Sequence, residues 1–214
     1  MINLYNLFAS PIYVVGIDPL SFDKKGIIKT IKENYKRSNL RNQWDNTSKL
    51  HHYYNDWDNK DFCKVNTDSL IPVYKNVYED FLDRLNFKET INYKFDIANI
   101  TVYKNKNDHM KQHNHMEDNI VFAGVHYISV GKDSAKLSFC NPMSITTYLP
   151  GYIKNLRKDK FPNNFENSYL HEFFDLEVLE NQMIIFPSYL MHSVKQEVTS
   201  TKYRIAIATN LCIT

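Results

Sequence analysis

A chain of 214 residues fits one domain, long enough to bury roughly 70% of the surface its unfolded form exposes. Its 43% hydrophobic, 23% charged and 14% aromatic content is that of a globular protein, and a net charge of +2, a pI near 8.3 and the lack of a Lys/Arg tract leave no electrostatic footprint for nucleic acid. No apolar run approaches the roughly 18 residues of a membrane span, Asn3 and Asn6 interrupt any signal-peptide core, and three scattered cysteines (Cys63, Cys140, Cys212) point to a reducing cytoplasm rather than a disulfide framework.

Residues 4–17 (LYNLFASPIYVVGI) read as a short strand broken around Pro11. A helix is predicted over about 22–38, capped by Ser21 or Asp23, with Ile27, Ile28, Ile31 and Tyr35 on one side. Residues 39–61 are polar and turn-rich, with Trp44, Tyr53, Tyr54 and Trp57 scattered through them, and the adjoining His51 and His52 read as surface histidines on a loop. The clearest helical period runs over about 68–85, where Leu70, Val73, Val77, Phe81 and Leu85 recur at three- and four-residue intervals. Thr67 or Ser69 is its expected cap, and Pro72 is tolerated in its first turn.

From Tyr93 the period changes to two, and residues 93–104, 119–130, 135–140, 182–187 and 202–213 read as strands. Residues 143–176, with Pro150, Gly151 and Pro162, read as a long irregular segment of the kind that borders a binding entrance. Short strands after two helices predict an α+β, mainly β fold, a jelly-roll barrel with the N-terminal helices packed outside it. Residues 1–214 then form a single domain in which 1–92 support a barrel core over 93–214, interrupted by the insertion 143–176.

The chemistry concentrates in the histidines of 109-HMKQHNHMEDNIVFAGVHYISV-130. If Gln112 to Met116 is extended, His113 and His115 share a face and Asn114 points the other way. Two imidazoles so placed are half of a site for a divalent transition metal, and His192, closing 183-MIIFPSYLMHSV-194, is the best candidate for the third ligand. His109 is expected in the approach to this pair, supporting it or at the surface. On the last strand Arg204, Ala206, Ala208 and Asn210 share one face, Ile205, Ile207, Thr209 and Leu211 the other. Barrel interiors are normally filled with large side chains, so two alanines beside an inward arginine imply room for a ligand. An extended dicarboxylate fits, one end on the metal and the other on the guanidinium fork. In the strand before it, His126 shares a face with Gly124 and Ile128, and Tyr127 with Ala123 and Val125, so only one of the two points inward.

The order of these pieces resembles the 2-oxoglutarate/Fe(II)-dependent oxygenases, in particular a small branch common in phages and bacteria. The matching segments are Leu7 to Tyr13 (LFASPIY), His113 and His115, Ala123 to Tyr127 (AGVHY), Phe139 to Pro142 (FCNP), Ile185 to Val194 (IFPSYLMHSV) and Arg204 to Asn210 (RIAIATN). The resemblance implies a double-stranded β-helix of cupin-like shape, Fe(II) held by His113, His115 and His192, and 2-oxoglutarate bound with the help of Arg204, Tyr127 and Asn210. O2 would be the co-substrate, hydroxylation of a C–H bond the reaction, and the primary substrate is left open.

Two positions depart from the pattern. The wider superfamily carries a carboxylate as second ligand, where this chain has His115; Glu117, two residues on, makes an H-x-E of its own and is the alternative ligand. A small hydroxyl residue is expected where Ala206 stands. Three neutral histidines leave the site one charge unit more positive than usual, which brings zinc or another divalent metal into consideration beside iron. The reading from another class is a non-catalytic metal-binding jelly-roll module, structural or interacting. Either protein would work in the cytoplasm, the host's if the gene is a phage's, and the abundance of Asn, Lys, Ile and Tyr fits an AT-rich genome.

Overall fold

The computed structural model describes residues 10–37, 50–86, 91–105, 107–117, 119–132, 134–142, 173–195 and 202–214. In chain order these form β1 (Tyr13–Gly16), α1 (Lys24–Tyr35), β2 (His51–Tyr53), a 3-10 turn (Asp68–Leu70) running into α2 (Ile71–Arg84), β3 (Tyr93–Tyr103), β4 (Met110–His113), β5 (Ile120–Ser129), β6 (Leu137–Cys140), β7 (Phe173–Leu176), β8 (Gln182–Pro187), β9 (His192–Val194) and β10 (Arg204–Ile213). A six-stranded sheet has the order β1-β8-β5-β10-β3-β2, and a four-stranded sheet the order β4-β9-β6-β7. All pairings are antiparallel, as a jelly roll requires.

The period of two in the long strands builds two cores, one on each face of the larger sheet. Ile205, Ile207 and Leu211 of β10, Ile100 and Val102 of β3, Phe122 and Ile128 of β5, and Met183 and Ile185 of β8 pack under the helices. The alternating partners Ala206, Tyr103, Ala123, Tyr127, Ile184 and Phe186 face Met110, Leu137, Phe139 and Val194 of the smaller sheet. The mainly β barrel with outer helices is therefore as the sequence predicts.

Asp23 caps α1, its Oδ1 accepting from the Gly26 N–H at 3.0 Å, and Ile27 and Ile31 are buried beneath it. Each such buried side chain contributes about 1.5–3 kcal/mol. On α2 the buried face is turned from the expected stripe. Tyr74, Tyr78, Phe81 and Leu82 are its centre, and Val73, Val77 and Leu85 lie at its margin. The tyrosines win because their large rings fill the space and their hydroxyls find partners there. Tyr74 Oη lies 2.9 Å from His126 Nδ1, and Tyr78 Oη and Thr209 Oγ1 share a hydrogen bond of 2.6 Å. Neither Thr67 nor Ser69 caps α2; Ser69 Oγ instead accepts from the Asp23 N–H.

Two further local expectations are corrected. His51 and His52 are not on a loop but in β2, paired to Val102 and Thr101, and both are buried. Residues 173–176 are not irregular but form β7, paired with β6 over Leu137 to Cys140. Both strands are three or four residues long and gain their hydrogen bonds from partners far away in the chain, so local periodicity is weak. The strand expected over 182–187 is β8, and a turn at Ser188 to Met191 carries the chain from it into β9 of the other sheet. The segments 4–9 and 39–49, including Trp44, and 143–172 of the expected entrance lie outside the described residues. No helix among the described residues is long and apolar enough to cross a membrane.

Candidate metal centre

The turn after β8 brings the histidines together. Pro187 ends the strand, and the Ser188 N–H donates to Val121 O of β5 at 2.9 Å. Leu190, 2% exposed, closes the turn through its N–H to Pro187 O at 3.0 Å, and Met191 O accepts from the Cys140 N–H at 2.8 Å. His192 thus enters β9 with its backbone fixed by both sheets. Across the ladder it pairs with His113, the last residue of β4. The strand β4 ends at His113, yet His113 and His115 meet at one site as expected, with ring centres 5.3 Å apart. His115 reaches the site from the following loop, where its N–H donates to Ser188 O at 2.8 Å.

The nitrogen ligand atoms of His113, His115 and His192 all lie within 4.8 Å of one another. The rings of His115 and His192 are nearly parallel, 5.2 Å apart, while Phe186 meets His192 edge-on at 4.7 Å. His113 Nδ1–H donates to Lys111 O and His192 Nδ1–H to Leu190 O, each at 3.0 Å. Those bonds select the tautomer and turn both Nε2 lone pairs outward, as metal-binding imidazoles require. Burial, then the neighbouring His113, pushes His115 down to about 4, against an opposing contact from Asn210. Burial, with His113 and His115 adding to it, holds His192 well below the usual imidazole range. Burial thus favours the neutral, metal-binding form of His115 and His192, and on chemistry and spacing the three imidazoles fit one divalent transition-metal ion. Glu117, the alternative ligand, is exposed and is not one of the three; its backbone N–H donates to His115 O at 2.8 Å. His109 lies apart from them, its Nδ1–H bonded to Asn107 O.

A cavity of about 110 Å³ opens from these histidines between the two sheets. Arg204, Ala206, Ala208 and Asn210 all line it, as does Tyr127, while His126 is turned to the helix side against Tyr74 and Phe22. Arg204 is fully buried: its Nη1 donates to Ala135 O at 2.7 Å, and its Cζ sits 5.0 Å and 5.2 Å from the ring centres of Tyr103 and Tyr127. Burial raises the Tyr127 hydroxyl, with Arg204 opposing, so that Tyr127 stays a neutral hydrogen-bonding group. The alternation along β10 leaves only methyl groups between the guanidinium and Asn210, and this is the space a dicarboxylate would need. Sequence reasoning missed His52 and Tyr54, which also line the cavity. Their i, i+2 spacing was the signal, but three residues of edge strand are too few for alternation to stand out.

A family model described as "Putative 2OG-Fe(II) oxygenase" matches residues 100–210, more than half of the chain. No curated protein matches by sequence. Among solved structures the chain resembles a prolyl-4-hydroxylase from Pseudomonas putida, with 10% identity and a TM-score of 0.54 over 96% of this chain and 94% of that one. It also resembles a prolyl hydroxylase from Trichoplax adhaerens, solved with a hypoxia-inducible-factor peptide (10% identity, TM-score 0.53, 94% and 83% coverage). A third is the non-heme alpha-ketoglutarate-dependent carbocyclase SnoK of nogalamycin biosynthesis (8% identity, TM-score 0.61, 95% and 79% coverage). At such identities these likenesses speak for the fold.

Proposed function

The chain belongs to the 2OG-Fe(II) oxygenase family, and on that premise we propose that His113, His115 and His192 hold the iron while Arg204 receives the far carboxylate of 2-oxoglutarate. The family's cofactors are Fe(II) and 2-oxoglutarate, with O2 as co-substrate. Bound together, they supply an oxidant able to hydroxylate a C–H bond, with succinate and CO2 released. The observation that carries the residue assignment is one cavity lined by both the three-imidazole group and the buried Arg204.

The chain's own part is binding, orientation and exclusion of water. Backbone carbonyls of Lys111 and Leu190 orient two of the imidazoles, and Phe186 and Phe139 shield His192 on its inner side. Arg204, held between Tyr103 and Tyr127, offers a preorganised planar fork to a carboxylate. Tyr127 and Asn210 supply polar groups along the path between fork and imidazoles. The packing of both cores on one central sheet supports residues 1–214 as a single domain, and three free thiols support a cytoplasmic location.

Anaerobic reconstitution with Fe(II) tests the reading, followed by measurement of metal stoichiometry and succinate release. One iron per chain and 2-oxoglutarate-dependent succinate are expected. The absence of a carboxylate from the three-histidine group favours a second reading, a metal-binding module without turnover. Metal uptake with no 2-oxoglutarate binding would select it.

A further inference from the structure

The edge strand β2 and the residue that follows it place two side chains, His52 and Tyr54, on the cavity that the roles above leave unused. His51 and Tyr53 turn to the other side, against Tyr35 and Phe62, so His52 and Tyr54 fall on the cavity face. The rings of His52 and Tyr54 meet edge to face, 5.5 Å apart at 87°. His52 is buried and Tyr54 is 38% exposed, so the inner ring holds the outer one as a panel at the rim.

Glu117 belongs to the same rim. It lines the cavity two residues beyond His115, is exposed, and its carboxylate makes no hydrogen bond or ion pair among the described residues. Tyr54 and Glu117 line the same cavity, and burial raises the Tyr54 hydroxyl, with the charges of Glu117 and Asp56 adding to it. Among the described residues that line the cavity, Arg204, at depth, is the one Lys or Arg, and Glu117, at the rim, is the one carboxylate. With Arg204 committed to 2-oxoglutarate, the charged side chain that this described lining leaves for the primary substrate is anionic. An aromatic face beside a carboxylate attracts an organic cation and repels an anion.

We propose that Tyr54 and Glu117, backed by His52, form a subsite for an ammonium or guanidinium group on the primary substrate. This rests on the reading of the cavity as an oxygenase site. The cation has two sources, a free amine or a basic side chain within a peptide.

The test is anaerobic calorimetry on the full chain loaded with Fe(II) and 2-oxoglutarate. The probes are N-acetyl-lysine and N-acetyl-arginine methylamides, free lysine and agmatine, and the neutral isostere N-acetyl-norleucine methylamide. At least one cationic probe is expected to bind about tenfold more tightly than the norleucine compound, a difference of about 1.4 kcal/mol. Glu117→Gln should abolish that preference while iron and 2-oxoglutarate affinities hold; Tyr54→Ala should weaken it and Tyr54→Phe keep it. Tighter binding of the blocked amides points to a peptide, and of lysine or agmatine to a small amine. Equal binding of cationic and neutral probes, no binding of any, or a preference that survives Glu117→Gln overturns the proposal. So does a large loss of iron affinity in Glu117→Gln, which would make the carboxylate a ligand. Wild type that takes up neither iron nor 2-oxoglutarate overturns the oxygenase reading itself, and this subsite with it.

Discussion

His113 and His192 are paired residues on neighbouring antiparallel strands, with ring centres 4.2 Å apart. Their Cα positions are fixed by a ladder and their Nδ1 atoms by backbone carbonyls, so their Nε2 atoms are aimed before any ion arrives. Replacing either with alanine should lower metal affinity by more than about 100-fold, beyond the roughly 10–100-fold typical when only a supporting hydrogen bond to a ligand is lost. Metal titration by calorimetry reads this directly. Retention of near wild-type affinity in both variants would remove them from the ligand set.

Arg204→Ala should weaken 2-oxoglutarate binding without touching the metal. A buried carboxylate deprived of its partner costs roughly 2–5 kcal/mol, which is about 30- to 4,000-fold in affinity. Arg204→Lys should restore only part, because a point charge cannot reproduce two parallel hydrogen bonds. Titration of 2-oxoglutarate into metal-loaded wild type and both variants decides it, and equal affinities would sink the assignment.

His126 makes stability depend on pH away from the metal centre. Burial, with Lys24 adding to it, lowers its folded-state pKa to about 3, against an ordinary value of 6.5. Below pH 6.5 the unfolded chain binds a proton at this position that the folded chain refuses. Stability from this residue is therefore present above 6.5 and declines as pH falls toward 3, by about 1.4 kcal/mol per unit. Between pH 6.5 and 5.0 the wild type should lose about 2 kcal/mol more than His126→Asn. Urea unfolding of the metal-free proteins across that range supplies the comparison, and parallel pH profiles would count against it.

Gly124→Ala should destabilise the protein by about 1–3 kcal/mol. An added Cβ would lie 2.6 Å from Thr209 Oγ1, 2.7 Å from Met183 Cε and 2.7 Å from Tyr78 Oη. The methionine can yield, but Tyr78 and Thr209 are bonded to each other. A midpoint in urea that does not move would show that the cluster yields freely.

The long strands were legible because their side chains alternate between two buried environments, and ten residues of β10 record that alternation without interruption. The same regularity separated Arg204 from Ile205 and Tyr127 from His126 before any coordinates. His115 was harder: the residue type was legible, yet its position depends on Ser188 O, 73 residues away in the chain. His52 was misread for a related reason, since β2 gains its order from the edge of β3 rather than from its own sequence. These short segments have their geometry imposed from outside, whereas on α2 the large rings of Tyr74 and Tyr78 displaced the aliphatic stripe from the centre of the buried face.

Ala206 and Ala208 hold the space beside Arg204 while Ile205 and Ile207, their immediate neighbours, anchor the strand under the helices. Adjacent positions on one ribbon thus answer to separate selective demands. Lineages can resize or reshape the chamber one small side chain at a time, and the residues that keep β10 in register need not change with them. A fold arranged in this manner can diversify its chemistry gradually, with the guanidinium as a fixed landmark and the methyl-lined floor as the adjustable part.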